Sequence, residues 1–295
     1  MRIGVCSDCL MEKYPDELEA IRKYRELGVT ALDYSGYHYS NPGNRYLQPD
    51  WEEYARSLRQ AADESGIVFC QAHAPMLSYL DTPESREIKM EVTRRMFRVC
   101  EIIGSPYLVI HPRMFADGIN GEKRDEYVAA NVEFYREFLP LAEKHHVSIA
   151  LENMFDWDPK VRRICRTTFS TMEEMLECAE QLDSPWVCVC LDTGHANILR
   201  ESPALAARKL GRTLKLLHVH DNWAVNDDHL VCGYGIIDWD EFLEALKEIG
   251  YQGDFSSEAT NTVHLLPPEA AEQAVRLIAE VSRALLQKHG IPIEE

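Results

Sequence analysis

Short apolar stretches alternate with longer stretches of helical periodicity from one end of the 295-residue chain to the other. The short runs indicate buried strands and the longer amphipathic stretches indicate helices. Strands are predicted at residues 2–6, 31–34, 67–72, 107–111, 147–152, 187–192, 214–219 and 254–258. Helices are predicted near residues 15–27, 50–65, 84–103, 123–145, 170–182, 203–210, 239–249 and 268–288. Eight such units predict an α/β protein with a (β/α)8 TIM barrel, and since no linker divides the chain we expect a single domain over residues 1–295.

The turn after the first strand argues against the main alternative, an open doubly wound sheet. Such a sheet usually carries a glycine-rich turn there, which binds a nucleotide phosphate, whereas this turn reads CSDCLMEKYP. Two helix starts also have recognisable caps, because Ser170 with Glu173 and Asp238 with Glu241 have the spacing of a capping box. The closed barrel is therefore favoured, and two of its helices have predicted first residues.

Net charge and cysteine content restrict the partners and the compartment. Lys+Arg 31 against Asp+Glu 49 gives a net charge of −18, which disfavours nucleic acid unless basic side chains gather in one cleft. The nine cysteines are an odd number in a chain long enough to fold without disulfides, and we interpret them as reduced thiols. The chain starts without a signal-peptide pattern and has no apolar stretch of membrane-spanning length. We expect a cytoplasmic protein with no membrane contact.

Polar residues occur where six consecutive predicted strands end. In a barrel of this kind the carboxyl ends of all strands meet at one face, so these side chains point into a common mouth. The six residues are His73, His111, Glu152, Asp192, His218 and Glu258. One histidine at a strand end is more often structural than functional, but three histidines and three carboxylates on adjacent strands predict a shared site.

A divalent cation best explains this set of side chains. Clustered carboxylates repel one another and their pKa values rise unless positive charge lies between them. No predicted strand of the six ends in Lys or Arg. Mixed imidazole and carboxylate ligands suit Mn, Fe, Co or Zn, with Mg suited if carboxylates dominate. We therefore predict one divalent metal ion of undetermined identity.

Several loop residues near the mouth are further candidates. His195, Asp227 and His229 follow the strand ends and are predicted to contact substrate or a second metal. His220 and Asp221 also follow a strand end, but each has a structural alternative: Asp221 can hold its own loop, and His220 can point away from the mouth into the barrel wall. The loop at residues 35–46 is rich in Tyr and His, and Trp157 and Trp223 follow later strands; such rings can wall a sugar or simply anchor loops. The cations near the mouth that could hold the phosphate of a phosphorylated substrate are Arg45, Arg113 and Lys123, but no glycine-rich anion loop supports such a substrate.

Seven short motifs together resemble the xylose isomerase-like TIM barrels. They are HAP at 73–75, IHP at 110–112, LEN at 151–153, LDTGH at 191–195, LLHVHDN at 216–222, DHLVCGYGIIDW at 228–239 and SSE at 256–258. That superfamily contains sugar and sugar phosphate isomerases, ketose 3-epimerases, inosose dehydratase and the endonuclease IV class. The resemblance implies a small carbohydrate substrate and is compatible with a homo-oligomer.

The epimerase branch implies one ligand set for the metal. Its four ligands match Glu152, Asp192, His218 and Glu258, with His218 preferred to His220 because the family histidine is followed three residues later by Asp. The two glutamates also correspond to the family's acid/base pair, and the histidine of DTGH, which contacts substrate, is here His195. This resemblance implies proton abstraction next to a carbonyl through a metal-stabilised enediolate, which gives an isomer or an epimer.

Two other outcomes stay open within the same superfamily. One is an inosose-type dehydratase. The other is an abasic-site nuclease, whose nine ligands for three zinc ions match residues that are all present: His73, His111, Glu152, Asp192, His195, His218, Asp227, His229 and Glu258. The strand 5 loop LENMFDWD differs from the small, glycine-containing run of the nucleases, and the net charge of −18 is unfavourable for a phosphate backbone. The isomerase or epimerase is therefore our first prediction.

Overall fold

Eight parallel strands form a barrel, which confirms the predicted (β/α)8 fold. The computed structural model describes residues 1–37, 39–78, 80–115, 123–158, 160 and 162–294. The strands are β1 (Ile3–Cys6), β2 (Ala31–Ser35), β3 (Val68–His73), β4 (Tyr107–Val109), β5 (Ser148–Glu152), β6 (Asp156–Asp158), β7 (Arg163–Cys165), β8 (Val187–Asp192), β9 (Leu214–His218) and β10 (Phe255–Ser257). The barrel sheet has the order β10-β1-β2-β3-β4-β5-β8-β9, and β6 and β7 form a separate antiparallel pair.

The strands at the two ends of this order, β9 and β10, meet through a short parallel bridge. Val219 donates its N–H to the carbonyl of Ser256 at 2.8 Å, and Glu258 donates to the carbonyl of Val219 at 2.9 Å. These two hydrogen bonds lie directly after β9 and β10, so closure of the barrel positions the residues that follow these strands, including Glu258.

Helices surround the barrel in the predicted order. They are α1 (Glu17–Tyr24), α2 (Trp51–Ser65), α3 (Pro83–Ile103), α4 (Arg124–Arg136), α5 (Leu139–His145), α6 (Met172–Leu182), α7 (Thr193–Ile198), α8 (Pro203–Leu210), α9 (Trp239–Glu248), α10 (Asn261–His264) and α11 (Ala271–Lys288). The single helix predicted over residues 123–145 is wrong, because it divides into α4 and α5. Pro140 lies in the first turn of α5, where a proline is tolerated but cannot continue a preceding helix. Among the described helices, none is both long and apolar enough to cross a bilayer.

Strand alternation separates the interior of the barrel from the layer under the helices. Successive residues of a strand face opposite sides, so Cys188, Cys190 and Asp192 share one face of β8. Cys188 and Cys190 pack with Val109, Ala150 and Leu216 in a small apolar cluster. The intervening residues Val189 and Leu191 belong to the large core under the helices. Asp192 therefore continues the interior row at the mouth.

Four local features differ from the sequence prediction. The capping box of α6 is formed by Thr171 and Glu174, one residue later than predicted, because Ser170 instead donates to the carbonyl of Met154. The hairpin of β6 and β7 and the short helices α7 and α10 were not predicted. All of them lie in loops that follow barrel strands, where segments of three to six residues are too short for periodicity to reveal. All nine cysteines are free and buried.

Candidate metal centre at the barrel mouth

Four side chains from the barrel mouth present their donor atoms to one point. Glu152, Asp192, His218 and Glu258 each offer one ligand atom, and these atoms lie within 4.8 Å of one another. Glu152, Asp192 and His218 are the last residues of β5, β8 and β9, and Glu258 directly follows β10. All four side chains are buried. The set combines three carboxylates and one imidazole, the chemistry that divalent Mn, Co or Zn accepts.

Glu152 lies at the centre of the contacts. Its Oε1 is 2.7 Å from Nδ1 of His218, and its Oε2 is 2.9 Å from Nε2 of His111 and 3.3 Å from Nε2 of His73. His73 ends β3 and His111 lies two residues beyond β4, which is shorter than predicted. Glu152 thereby joins the four-ligand group to a second donor group made of His73, His111 and Glu152 itself.

The electrostatics of these groups call for positive charge in the site. Burial raises the pKa of Glu152, but His218 and His111 outweigh that effect and leave the pKa well below its usual range. Burial lowers the pKa of His218, yet the carboxylates of Glu258 and Glu152 hold it well above the usual histidine value. Buried carboxylates need a neighbouring cation, and either protons on the histidines or a divalent ion can supply it.

Three histidines have one ring nitrogen fixed by a backbone carbonyl. Nδ1 of His73 lies 2.7 Å from the carbonyl of Ala74. Nδ1 of His195 lies 2.8 Å from the carbonyl of Asn153, and Nδ1 of His229 lies 2.9 Å from the carbonyl of Glu258. A carbonyl only accepts, so Nδ1 carries the hydrogen in all three rings. In the neutral form this leaves the Nε2 lone pair for a cation, which is the arrangement found around metal-ligating histidines.

His218 uses its two nitrogens in the opposite sense. Its Nδ1 faces Glu152 and its Nε2 lies 3.0 Å from Oδ2 of Asp33, a residue of β2. The same oxygen of Asp33 accepts a hydrogen bond from Nε2 of Gln71 at 2.8 Å. A carboxylate behind a histidine orients the ring and strengthens it as a ligand. The donor set and its supports therefore fit a divalent ion held by Glu152, Asp192, His218 and Glu258.

A third donor group lies beside the first. It consists of His195, His220, Asp227 and His229, again within 4.8 Å. Burial raises the pKa of Asp227, but His195 and His229 lower it far more. Burial opposes protonation of His229, yet Asp227 and Glu258 raise its pKa to about 9. The loop residues predicted as substrate contacts or second-metal ligands are thus brought together.

The motif residues without donor roles have structural ones. A Cβ on Gly194 would meet Cε1 of His220 at 1.8 Å, so the glycine of LDTGH lets His220 approach Asp192, whose Oδ1 is 3.0 Å from its Nε2. Asn153 of LEN accepts from the N–H of Asp192 at 2.8 Å and donates to its carbonyl at 2.9 Å. Asp221 accepts hydrogen bonds from Gly233, Ile237 and Trp239, which agrees with its predicted role as a loop anchor.

A cavity of about 340 Å³ opens onto these groups. Its apolar wall is formed by Tyr37, Met76, Met154 and Phe155. Tyr37, from the loop after β2, donates its hydroxyl to Oε1 of Glu258 at 2.9 Å and places its ring 4.3 Å from that of His73. The volume falls within the range of about 300–1,000 Å³ that small-molecule sites occupy.

Other predicted walls and cations lie elsewhere. Among the described residues that line the cavity there is no Lys or Arg and no Trp. Trp157 is 46% exposed and Trp223 is 57% exposed, while Arg45 pairs with Asp50. Arg113 and Lys123 are also absent from the described lining, and His38 lies outside the described residues.

Sequence reasoning missed two residues that act on the site through others. Asp33 lies inside an apolar strand, at a distance of 38 residues from Gln71 along the chain, and no spacing signals their contact with His218. Tyr37 was predicted only as one ring of the aromatic loop at residues 35–46, and its hydrogen bond to Glu258 was not predicted. One sequence signal could have revealed Asp33: a carboxylate inside a short apolar strand is costly to bury unless it meets a polar partner.

The comparison with known families agrees with this geometry. Residues 21–281 match the family described as xylose isomerase-like TIM barrel. The chain belongs to this family, which confirms the resemblance found in the motifs.

Curated relatives with assigned names include isomerases, epimerases and a nuclease. The chain is 32% identical to an uncharacterized protein of Methanocaldococcus jannaschii over 74% of this chain and 72% of the relative. It is 28% identical to D-psicose 3-epimerase of Enterocloster bolteae, over 66% and 63%. It is also 24% identical to a probable endonuclease 4 of Mesomycoplasma hyopneumoniae, over 68% and 69%. The matches with the isomerases and epimerases confirm the expectation of an enzyme of this group.

Solved structures match over nearly the full length. A D-tagatose 3-epimerase-like protein superposes with a TM-score of 0.72 at 26% identity, covering 98% of this chain and 100% of the other. The IolI protein, whose crystal structure contains a zinc atom, superposes with a TM-score of 0.74 at 19% identity, over 98% and 99%. The second likeness shows the fold.

Proposed function

We propose that the protein is a divalent-metal-dependent sugar isomerase or epimerase, and that Glu152 and Glu258 exchange protons with the carbon next to the substrate's carbonyl. The observation that carries the proposal is the convergence of these two glutamates on Nδ1 of His218, with Asp192 in the same donor group. Glu152 Oε1 lies 2.7 Å and Glu258 Oε2 lies 3.3 Å from that nitrogen. The names of the relatives, D-psicose 3-epimerase and inosose isomerase, support the same reaction class.

The ligand assignment follows from the donor set. Glu152, Asp192, His218 and Glu258 would hold the ion, and Asp33 would orient His218. A bound divalent ion would polarise the substrate's carbonyl and stabilise the negative charge that develops when the adjacent proton leaves. The cavity beside the four ligands gives a small sugar access to that position.

Proton transfer falls to the chain's own carboxylates. Glu152 and Glu258 come from strands separated in the barrel by β8 and β9, which allows them to approach a bound substrate from different sides. One carboxylate removes the proton and the other returns a proton to the opposite face or to the neighbouring carbon. Tyr37 holds Oε1 of Glu258, and His195, whose Nε2 lies 3.5 Å from Oδ2 of Asp227, lines the same cavity and would contact a substrate oxygen.

Solvent deuterium exchange tests this proposal. Glu152→Gln and Glu258→Gln should each lower deuterium uptake into ketoses such as D-psicose or D-tagatose by roughly 100-fold or more, the usual contribution of a general acid or base. Glu64→Gln, on the exposed face of α2, is the matched control and should leave uptake unchanged. Uptake that persists in both site variants would contradict the assignment, and substrate dehydration without uptake would favour the dehydratase.

A second candidate function rests on the number of donor groups. His73, His111 and Glu152 form one group and His195, His220, Asp227 and His229 form another, in addition to the four proposed ligands. Three groups suit the three-zinc chemistry of the abasic-site nucleases, whose relative is matched above. Metal analysis separates the two candidates: about one ion per chain fits the isomerase, whereas about three zinc ions with cleavage of an abasic duplex would favour the nuclease.

A further inference from the structure

A second cavity, of about 530 Å³, lies beside the hairpin of β6 and β7. We call it the arginine cavity, because its charged lining residues are Arg162, Arg163, Arg166 and Arg200. Among the described residues that line it there is no Asp or Glu. In a chain with a net charge of −18, four guanidinium groups around one cavity create a local field opposite to that of the whole molecule.

Three of these arginines keep their hydrogen-bonding capacity. Arg166 pairs with Glu201 at 2.8 Å. Within the described part of the chain, the side chains of Arg162, Arg163 and Arg200 make no hydrogen bond and no ion pair. All four are exposed, so their positive charge is available to a ligand from solvent.

The backbone around the cavity is held in an unusual conformation at three separate places. Arg162, Arg200 and Ala224 have φ angles of 52°, 64° and 53°, in the left-handed region that L-residues rarely adopt. These residues belong to the hairpin, the segment after α7 and the loop after β9. Such strain persists only where the surrounding structure imposes it, and it gathers at ligand sites.

The cavity of about 340 Å³ at the barrel mouth, which we call the metal cavity, and the arginine cavity are built from neighbouring residues of the same loops. Phe155 lines the metal cavity, whereas Trp157 lines the arginine cavity. In the loop after β9, Asp227 lines the metal cavity and Asn226 lines the arginine cavity. The described lining of the metal cavity contains no Lys or Arg. A phosphate on a ligand in the mouth meets no Lys or Arg among those described residues, whereas the cavity that begins one or two residues away along the same loops is lined by four arginines.

We propose that the arginine cavity binds a phosphate group. Guanidinium groups bind phosphate oxygens through paired hydrogen bonds, and several of them suit a dianion better than a singly charged carboxylate. The phosphate has two conceivable sources, a phosphorylated sugar whose reacting end lies in the metal cavity or a free phosphate from solvent. The first source rests on the isomerase function proposed above, whereas the second does not.

Binding of inorganic phosphate to the metal-free protein, measured by calorimetry at low salt, tests the site without any catalytic readout. Arg163→Glu and Arg200→Glu should each weaken phosphate affinity about tenfold or more, because each removes one charge-assisted partner and adds repulsion. Arg163→Lys should retain most of the affinity. Arg212→Glu is the matched control: Arg212 is exposed, lies just before β9 at the opposite end of the barrel strands, and should leave affinity within about twofold of the parent protein.

Steady-state kinetics then distinguish the two sources. If the phosphate belongs to the substrate, Arg200→Glu raises KM for a ketose phosphate about tenfold and leaves KM for the corresponding neutral ketose unchanged. If the phosphate is free, Arg200→Glu weakens phosphate binding without changing either KM. Both results support the phosphate site. If the protein shows no isomerase activity but still binds phosphate, the phosphate site is supported although the isomerase proposal fails.

Three results would overturn the proposal. The first is no phosphate binding by the parent protein at about 10 mM, far above the range expected of a specific anion site. The second is equal loss of affinity in Arg212→Glu and Arg163→Glu, which would indicate a response to net charge. The third is binding of a short DNA duplex that depends on Arg163 and Arg200 without any binding of phosphate, which would assign the surface to a polyanion.

Discussion

The metal cavity and the arginine cavity share neighbouring residues and carry opposite charge. In the first, carboxylates and histidines are buried and contact one another, as Glu152 does with His218 and His111. In the second, Arg162, Arg163 and Arg200 are exposed and contact no carboxylate of the described chain. The buried carboxylates and histidines of the metal cavity neutralise one another inside the protein, whereas the exposed arginines keep a positive charge that only solvent ions or a ligand can neutralise.

This difference shows why net charge predicts ligands poorly. A net charge of −18 describes the field far from the surface, which salt screens beyond about 10 Å at 0.1 M. Within a cavity, the nearest few side chains decide what binds. The same chain therefore presents one site suited to a cation and one suited to an anion, and each should respond to different perturbations.

Removal of divalent metal should produce the largest effect and should act on one cavity alone. Chelation is expected to lower deuterium exchange roughly 1,000-fold, since a Lewis-acidic ion contributes several kcal/mol to the transition state. Phosphate affinity at the arginine cavity should stay within about twofold, because none of the four proposed metal ligands is among the described residues that line it. The measurements are exchange by NMR and binding by calorimetry on the same chelated sample.

Restoration of metal provides the control for this prediction. Adding Mn, Co or Zn back should recover exchange, and the ion that recovers it best identifies the preferred cofactor. An exchange rate that survives complete chelation would break the assignment of the buried cavity as a metal centre.

The alternation of strands and helices was sufficient to predict the barrel, and the strand-end rule was sufficient to predict its mouth. Glu152, Asp192 and His218 end their strands as expected because parallel strands of one barrel share a direction. The arginine cavity was not predicted, since Arg162 and Arg200 are far apart in sequence and KVRRICR has the composition of an ordinary polar loop.

Side chains that act through other residues were equally beyond the sequence. Asp33 reaches His218 across the barrel interior, and a contact between distant strands leaves no local spacing to detect. The tryptophans show the converse error. Trp157 and Trp223 are large and close in sequence to the site, yet Trp157 lines the arginine cavity and Trp223 is 57% exposed. Proximity along the chain fixes neither the direction of a loop nor the cavity that its side chains face.

Tyr37→Phe should produce an intermediate effect confined to the metal cavity. The variant removes the hydroxyl that donates to Glu258 at 2.9 Å but keeps the ring beside His73. A hydrogen bond to a charged group contributes about 1.5 kcal/mol or more, so kcat for sugar exchange should fall roughly tenfold, with little change in KM. Phosphate affinity at the arginine cavity should not change.

Tyr39→Phe is the matched control for Tyr37→Phe. Its hydroxyl donates to buried Glu17 at 2.9 Å, away from the mouth cavity. Loss of that bond should lower the free energy of unfolding by about 1–3 kcal/mol and leave kcat unchanged. Equal loss of kcat in both variants would mean that Tyr37 acts through general stability and not through Glu258.

Salt should produce the smallest effect and should separate the two cavities by exposure. Raising NaCl from about 20 mM to about 300 mM shortens the screening length to well under 10 Å, so phosphate binding to the exposed arginines should weaken about fivefold. The KM for a neutral ketose should change by less than about 1.5-fold, because the buried charges of the metal cavity are little screened and the substrate is uncharged. A salt-independent phosphate affinity would indicate that the anion lies in a buried position, and the contrast between an exposed cationic cavity and a buried anionic one would then be wrong.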